Sequence, residues 1–181
     1  MSRNVEIKAR IDDVEACARK IAALAIAPDD PQDIAQDDTF FRCAAGRLKL
    51  RVFADGSGEL IFYRRGDGEG PKESFYVRSP VGEPESLREC LSLAYGLAGR
   101  VRKRRRLYRA GRTRIHLDHV ERLGDFLELE VVLAADEHAE AGIREAQALM
   151  GKLGILPQQL VAGAYVDLLS RVEAGQAGAD A

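Results

Sequence analysis

Three segments of this chain alternate charged and aliphatic side chains, which constrains them to strands of a half-polar sheet. The first, Asn4-Val-Glu-Ile-Lys-Ala-Arg-Ile11, points Asn4, Glu6, Lys8 and Arg10 one way and Val5, Ile7, Ala9 and Ile11 the other. Successive strand side chains alternate faces, so a period of two separates charge from grease. Residues 47–53 repeat the device with Arg47, Lys49 and Arg51, and residues 113–132 end in Leu127-Glu-Leu-Glu-Val131. Glu128 and Glu130 therefore stand side by side on one face. A polar face that carries clustered cations and paired carboxylates suits a metal-bound polyphosphate.

Between these strands the punctuation is clear. Asp12-Asp13 supplies an N-cap for a helix over 14–25, with Val14, Cys17, Ile21 and Leu24 on one side. Pro28 and Pro31 end it and open an acidic loop reaching to residue 38. Strands are expected at 38–43, 47–53, 59–65 and 73–81. Asp55-Gly-Ser-Gly58 turns one hairpin and residues 66–71 a second, mobile one. Pro84 opens a helix over 85–98. Two long strands follow, 100–109 and 113–132, the latter broken near 123–125. Helices over 137–153 and 159–172 complete a domain of residues 1–172, and residues 173–181 read as a disordered tail.

The helices need apolar surface to dock on, and the Val5/Ile7/Ile11 and Leu48/Leu50/Val52 face offers it. The charged face is then either an open, solvated sheet face or the lining of a water-filled barrel. Antiparallel sheets commonly leave one face in water. However, like charges from neighbouring strands destabilise a sheet, and an anion between them removes that penalty.

Composition narrows the class. With 181 residues the chain suits one domain with a real core, and 46% hydrophobic with 31% charged residues is ordinary for a globular protein. No apolar run approaches the roughly 18 residues that cross a bilayer, and no signal peptide is evident. Cys17, Cys43 and Cys90 fit neither a disulfide framework nor a zinc spacing. These features predict a cytoplasmic protein with no membrane partner. The net charge of −2 hides a basic run over 100–114, which raises a nucleic-acid-binding module as a rival reading. That run alternates through a strand and so divides its charge between two faces, and the pI is near 6.0.

Several motifs, in order, resemble the CYTH family of triphosphate tunnel metalloenzymes: Val5-Glu-Ile-Lys8, Gly46-Arg-Leu-Lys-Leu-Arg51, Val101-Arg-Lys-Arg-Arg105, Ile115-His-Leu-Asp118 and Leu123-Gly-Asp-Phe-Leu-Glu-Leu-Glu130. The resemblance spans residues 3 to 170 and is strongest to the bacterial class IV adenylyl cyclase-like branch. The family also includes thiamine triphosphatases and inorganic tripolyphosphatases. The resemblance implies an α+β fold, an eight-stranded antiparallel β-barrel with helices packed on its outside and charged side chains within. It implies Mg or Mn held by Glu6, Glu128 and Glu130, since hard divalent ions prefer carboxylate oxygen. Lys8, Lys49, Arg51, Lys103 and Arg105 become the triphosphate-binding set, with Arg64, Arg78 and Arg114 added by strand parity. Arginine forks match phosphate oxygens bidentately, whereas lysine acts as a movable point charge.

Lys8, Arg105 and Asp118 are the catalytic candidates, with Asp118 either holding a second metal or orienting an arginine. His116 is either tunnel wall or an ordinary polar residue. The expected partner is ATP, thiamine triphosphate or tripolyphosphate, and a homodimer is left open. Cyclase-like turnover, triphosphate hydrolysis and non-catalytic nucleotide or polyphosphate binding all remain compatible with these residues. One departure stands out. The family's opening Glu-x-Glu-x-Lys has Asn4 at its first position, a neutral amide where an anion is expected.

Overall fold

The computed structural model describes residues 2–24, 31–66 and 70–177. Among them, eight strands close into one antiparallel barrel: β1 (Ser2–Arg10), β2 (Gln32–Phe41), β3 (Arg47–Phe53), β4 (Gly58–Arg65), β5 (Lys72–Val81), β6 (Leu97–Ala110), β7 (Thr113–Val120) and β8 (Gly124–Val132). Around the barrel the order is β1-β5-β4-β3-β2-β6-β7-β8, and β8 pairs back onto β1. Closure leaves no free sheet edge. Four α-helices accompany it: α1 (Val14–Ala22), α2 (Pro84–Tyr95), α3 (Ala139–Leu153) and α4 (Tyr165–Ala177). None is long and apolar enough to cross a membrane.

The apolar face of β1 read from the sequence is turned outward, beneath helices. Val5, Ile7 and Ala9 of β1 join Ile115, Leu117, Leu127, Leu129 and Val131 of β7 and β8 under α1 and α3. Asp13 caps α1 by accepting from the Ala16 amide at 2.8 Å, as its sequence predicts. Contact with α3 is so close that a side-chain carbon at Gly142 would lie 2.9 Å from Val5 and 2.8 Å from Leu133. A second cluster joins Phe40, Val101, Val120 and Phe126 to Ala164, Tyr165, Val166 and Leu169. It seats α4 across one end of the barrel.

The boundaries differ from expectation in instructive places. The acidic stretch is largely strand rather than loop, because β2 begins at Gln32; residues 28–30 lie outside the described chain. On its outer face Asp37 meets Arg100 at 2.7 Å and Arg102 at 3.6 Å, and Asp33 meets Arg106 at 3.4 Å. The acidic stretch and the basic run are thus neighbouring strands, and Asp33 and Asp37 offset part of the run's outward positive charge. The second helix stops at Tyr95, where Gly96 adopts a left-handed φ of 78°, and β6 begins sooner than expected. The last helical segment divides into a 3-10 turn at Pro157–Gln159 and α4, with Gly163 at φ 84° between them. α4 then runs on to Ala177, so residues 173–177 are helical where a disordered tail is expected. The last residue of the first expected helix, the tip of the second hairpin (67–69) and residues 178–181 lie outside the described chain.

Candidate functional site

The inward faces of the strands surround a cavity of about 320 Å³ lined mainly by charged and other polar side chains. β1 contributes Asn4, Glu6 and Lys8, and β3 contributes Lys49 and Arg51. From β6 come Lys103 and Arg105, from β7 Arg114 and His116, and from β8 Glu128 and Glu130. The alternation seen in the sequence therefore lines a barrel interior and not an open sheet face.

Two walls of this cavity share one local design. On β3 and again on β6, a lysine and an arginine two residues apart face inward, and the neighbouring strand places an aspartate directly opposite the arginine: Asp38 pairs with Arg51, and Asp118 with Arg105. Asp38 accepts from Lys49 Nζ at 2.7 Å and from the Arg51 fork at 2.7 Å through both nitrogens. Asp118 accepts from Lys103 Nζ at 2.7 Å and from the Arg105 fork at 2.6 Å. Burial alone would raise the pKa of each aspartate, but the adjoining cations outweigh it and hold both below the usual carboxylate range. Asp118 is thus held by Lys103 and Arg105, contacts that match the arginine-orienting alternative of its two expected roles.

Burial moves the lysines the other way. It lowers Lys49 to about 7, with Arg51 pushing in the same direction and Asp38 opposing. It lowers Lys8 to about 8 despite Glu128 nearby. Lys8 donates to the Gly163 carbonyl at 3.0 Å, lies 3.4 Å from Glu128 and sits 3.8 Å from the centre of the Tyr165 ring. Arg105 reaches Glu128 at 2.7 Å, so Lys8 and Arg105 flank that carboxylate.

Other sequence-predicted residues are placed less uniformly. Glu6 faces Glu130 across the β1–β8 ladder, yet its carboxylate pairs with Arg65 at 2.5 Å. Arg114 pairs with Glu130 at 2.8 Å and touches the Tyr76 hydroxyl at 3.2 Å. Arg78 lines the cavity but is half exposed, at 3.6 Å from Glu59. Arg64 is a correction: it lies on the outer face, donating to the Ala45 carbonyl at 2.6 Å, while Ile61, Tyr63 and Arg65 point inward. Leu60-Ile-Phe-Tyr63 is continuously apolar, so β4 gives no parity signal and its inward cation is Arg65.

Sequence reasoning also passed over Asp38, at the boundary between the expected acidic loop and the expected strand 38–43, and Tyr165. Tyr165 enters from α4, its hydroxyl 3.2 Å from Asp118 and its ring 4.9 Å from Lys103 Nζ. The alternation of Ile34, Gln36, Asp38 and Phe40 was the available signal for the first. Tyr165 has none, because its neighbours in the site come from distant strands.

A divalent cation fits this donor set. His116, Glu128 and Glu130 each offer a ligand atom, and the three lie within 4.8 Å of one another. His116 Nδ1 and Asn4 Oδ1 are both buried without a hydrogen-bond partner among the described residues, as unfilled ligand positions would be. Glu6, the third expected ligand, is turned to Arg65 instead.

The barrel, its charged lumen and its motif order define a triphosphate tunnel fold. The family model described as the CYTH domain matches residues 2–165, and the chain belongs to that family. Its structure is similar to that of the PH1012 protein of Pyrococcus horikoshii OT3, with 25% identity and a TM-score of 0.80, covering 91% of this chain and 98% of that one. A conserved hypothetical protein of Pyrococcus furiosus is similar at 23% identity and a TM-score of 0.77, over 91% and 99% of the two chains. A proposed adenylate cyclase of Vibrio parahaemolyticus follows at 21% and 0.74, over 92% and 97%. No curated protein matches the chain.

Proposed function

We propose that this protein is a metal-dependent enzyme that binds a triphosphate in the tunnel and cleaves a phosphorus–oxygen bond in it, as a class IV adenylyl cyclase-like enzyme or a triphosphate hydrolase. One observation carries the reading: the two lysine–arginine pairs, each braced by a buried aspartate, converge with Lys8, Arg65 and Arg114 on one cavity. Cations held this rigidly neutralise phosphate charge without reorganising, usually the largest catalytic effect. Lys8 and Arg105, on either side of Glu128, would neutralise departing phosphate oxygens, and Asp118 would act through Lys103 and Arg105. Glu128, Glu130 and either Glu6 or His116 would hold Mg or Mn, which when bound supplies Lewis-acid charge neutralisation at the phosphates.

The cyclase directs the ribose 3'-hydroxyl at the α-phosphorus, and the hydrolase directs water at the terminal one. The same tunnel serves either, depending on which phosphorus faces the nucleophile. ATP, thiamine triphosphate and tripolyphosphate, each offered with Mg or Mn, separate the outcomes. Cyclic AMP with pyrophosphate identifies the cyclase, and orthophosphate the triphosphatase. Asn4 favours a second reading, a non-catalytic polyphosphate or nucleotide binder, because it removes one carboxylate from the metal's surroundings. Absence of turnover with a melting temperature raised by tripolyphosphate would establish that binder and defeat the enzyme.

The titration of Lys49 gives a prediction that does not depend on turnover. With a pKa of about 7 in the ligand-free protein, Lys49 is largely neutral at pH 8. A bound polyanion favours the ammonium form and raises that pKa. Between the two values the complex holds more protons than the free protein, so binding takes up protons, and affinity falls as pH rises above about 7. Calorimetry of tripolyphosphate binding at pH 8, in buffers of different ionisation enthalpy, should show net proton uptake that Lys49→Met reduces. A buffer-independent binding enthalpy would exclude this.

A further inference from the structure

His116 extends the site in a direction the carboxylates do not. It is 2% exposed, and its Nδ1 lies 3.7 Å from Glu128 Oε2 and 3.8 Å from Glu130 Oε1. These gaps are too long for hydrogen bonds. They are only somewhat wider than the roughly 3 Å between adjacent ligand atoms of an ion with bonds of about 2.1 Å. Arg114 takes Glu130 Oε2 and leaves Oε1 facing the imidazole, whereas the Glu128 oxygen nearest the ring, Oε2, also accepts from Arg105 at 2.7 Å. A buried ring nitrogen without a partner is costly, whereas Glu128 and Glu130 already have cationic partners. A cation bound by all three groups removes the imidazole's penalty.

The donor types narrow the cation. Magnesium binds through oxygen, favours anionic carboxylates and keeps its waters, whereas imidazole nitrogen suits transition ions. Asn4, lining the same cavity with its Oδ1 unpartnered, supplies a neutral oxygen where the family motif has an anion. That substitution lowers the charge on which magnesium depends and leaves the nitrogen donor in place. We infer that His116, Glu128 and Glu130 form a mixed imidazole–carboxylate site that selects a transition-metal dication, with Mn(II) as its simplest probe, over Mg(II). The inference rests on the reading that this tunnel holds a metal, and it adds a nitrogen ligand and a choice of ion to it.

The test is pulsed electron paramagnetic resonance of Mn(II) bound to the full chain, without any triphosphate, together with Mn(II)/Mg(II) competition. The wild type should show nitrogen hyperfine coupling from a coordinated imidazole. His116→Gln should lose it, and its preference for Mn(II) over Mg(II) should drop by at least ~10-fold, the low end of the metal-affinity cost of substitutions even outside the ligand set. Bound Mn(II) without nitrogen coupling in the wild type, an unchanged preference in the variant, or no Mn(II) binding at all would each overturn the inference. The wild-type spectrum decides the matter even if the variant does not fold. Nitrogen coupling in a protein that turns over no triphosphate would support the site and defeat the enzyme reading. Turnover of a triphosphate without nitrogen coupling would do the reverse.

Discussion

Replacing Asp118 with alanine should cost about 3–5 kcal/mol of folding stability, the usual consequence of removing one partner from a buried ion cluster. Its side chain is fully buried and accepts from Lys103, from both Arg105 nitrogens and from the Tyr165 hydroxyl at 3.2 Å. Without it, two cations remain in the barrel with less compensation, although Arg105 keeps Glu128. Lys103 can relieve part of the cost by losing its proton, since burial already lowers its pKa. The carboxyl pKa is depressed in the folded state, so its contribution is complete above the unfolded value of about 4 and is lost only as pH falls through the folded one. Urea denaturation with and without tripolyphosphate measures the effect. The polyanion should restore part of the lost stability, because it replaces the missing charge at Lys103 and Arg105. A loss below about 0.5 kcal/mol, the range of an ordinary surface substitution, would show that the cations do not depend on Asp118.

The second large effect concerns turnover. Glu130→Gln should lower metal-dependent turnover by at least ~100-fold, since a metal's charge neutralisation is worth several kcal/mol and each 1.36 kcal/mol is about tenfold in rate. Its melting temperature should move little. Glu130 is more exposed than Glu128, and its close ion pair is with Arg114 alone, whereas Glu128 is braced by Lys8 and Arg105. Activity assays across a Mn(II) titration, with a melting curve of the same sample, check both halves. Retained activity at every metal concentration would remove Glu130 from the metal site.

The contrast between β1 and β4 explains what was legible in the sequence. In β1, β3 and β8 one face is charged and the other aliphatic, so parity groups Lys8, Lys49, Arg51, Glu128 and Glu130 on polar faces, and the family resemblance turns those faces into the barrel's lining. In β4 the apolar residues run together, parity carries no signal, and Arg64 was chosen where Arg65 points inward. β2 failed for a different reason. Its aspartates look like solvated loop until the basic face of β6 is set beside them, and pairing between strands is not a local property. α4 and the turn before it are the extreme case: Tyr165 reaches Asp118 from 47 positions away, and the Gly163 carbonyl meets Lys8 from 155. The family motifs carried the barrel and much of its charged lining and offered Asp118 as an arginine's support, while the other brace, Asp38, came only from the folded register.

That the braced cations hold a triphosphate is tested most directly by titrating tripolyphosphate into the wild type and into Lys49→Met/Lys103→Met at one fixed salt concentration and neutral pH. The substitutions leave Asp38 with Arg51 and Asp118 with Arg105, so neither aspartate is stranded. Each lost charge-assisted contact is worth about 1.5–3 kcal/mol, so saturable binding in the wild type should weaken by roughly 100-fold or more in the double variant. Equal binding by the two proteins, or none by the wild type, would contradict a triphosphate site in the tunnel.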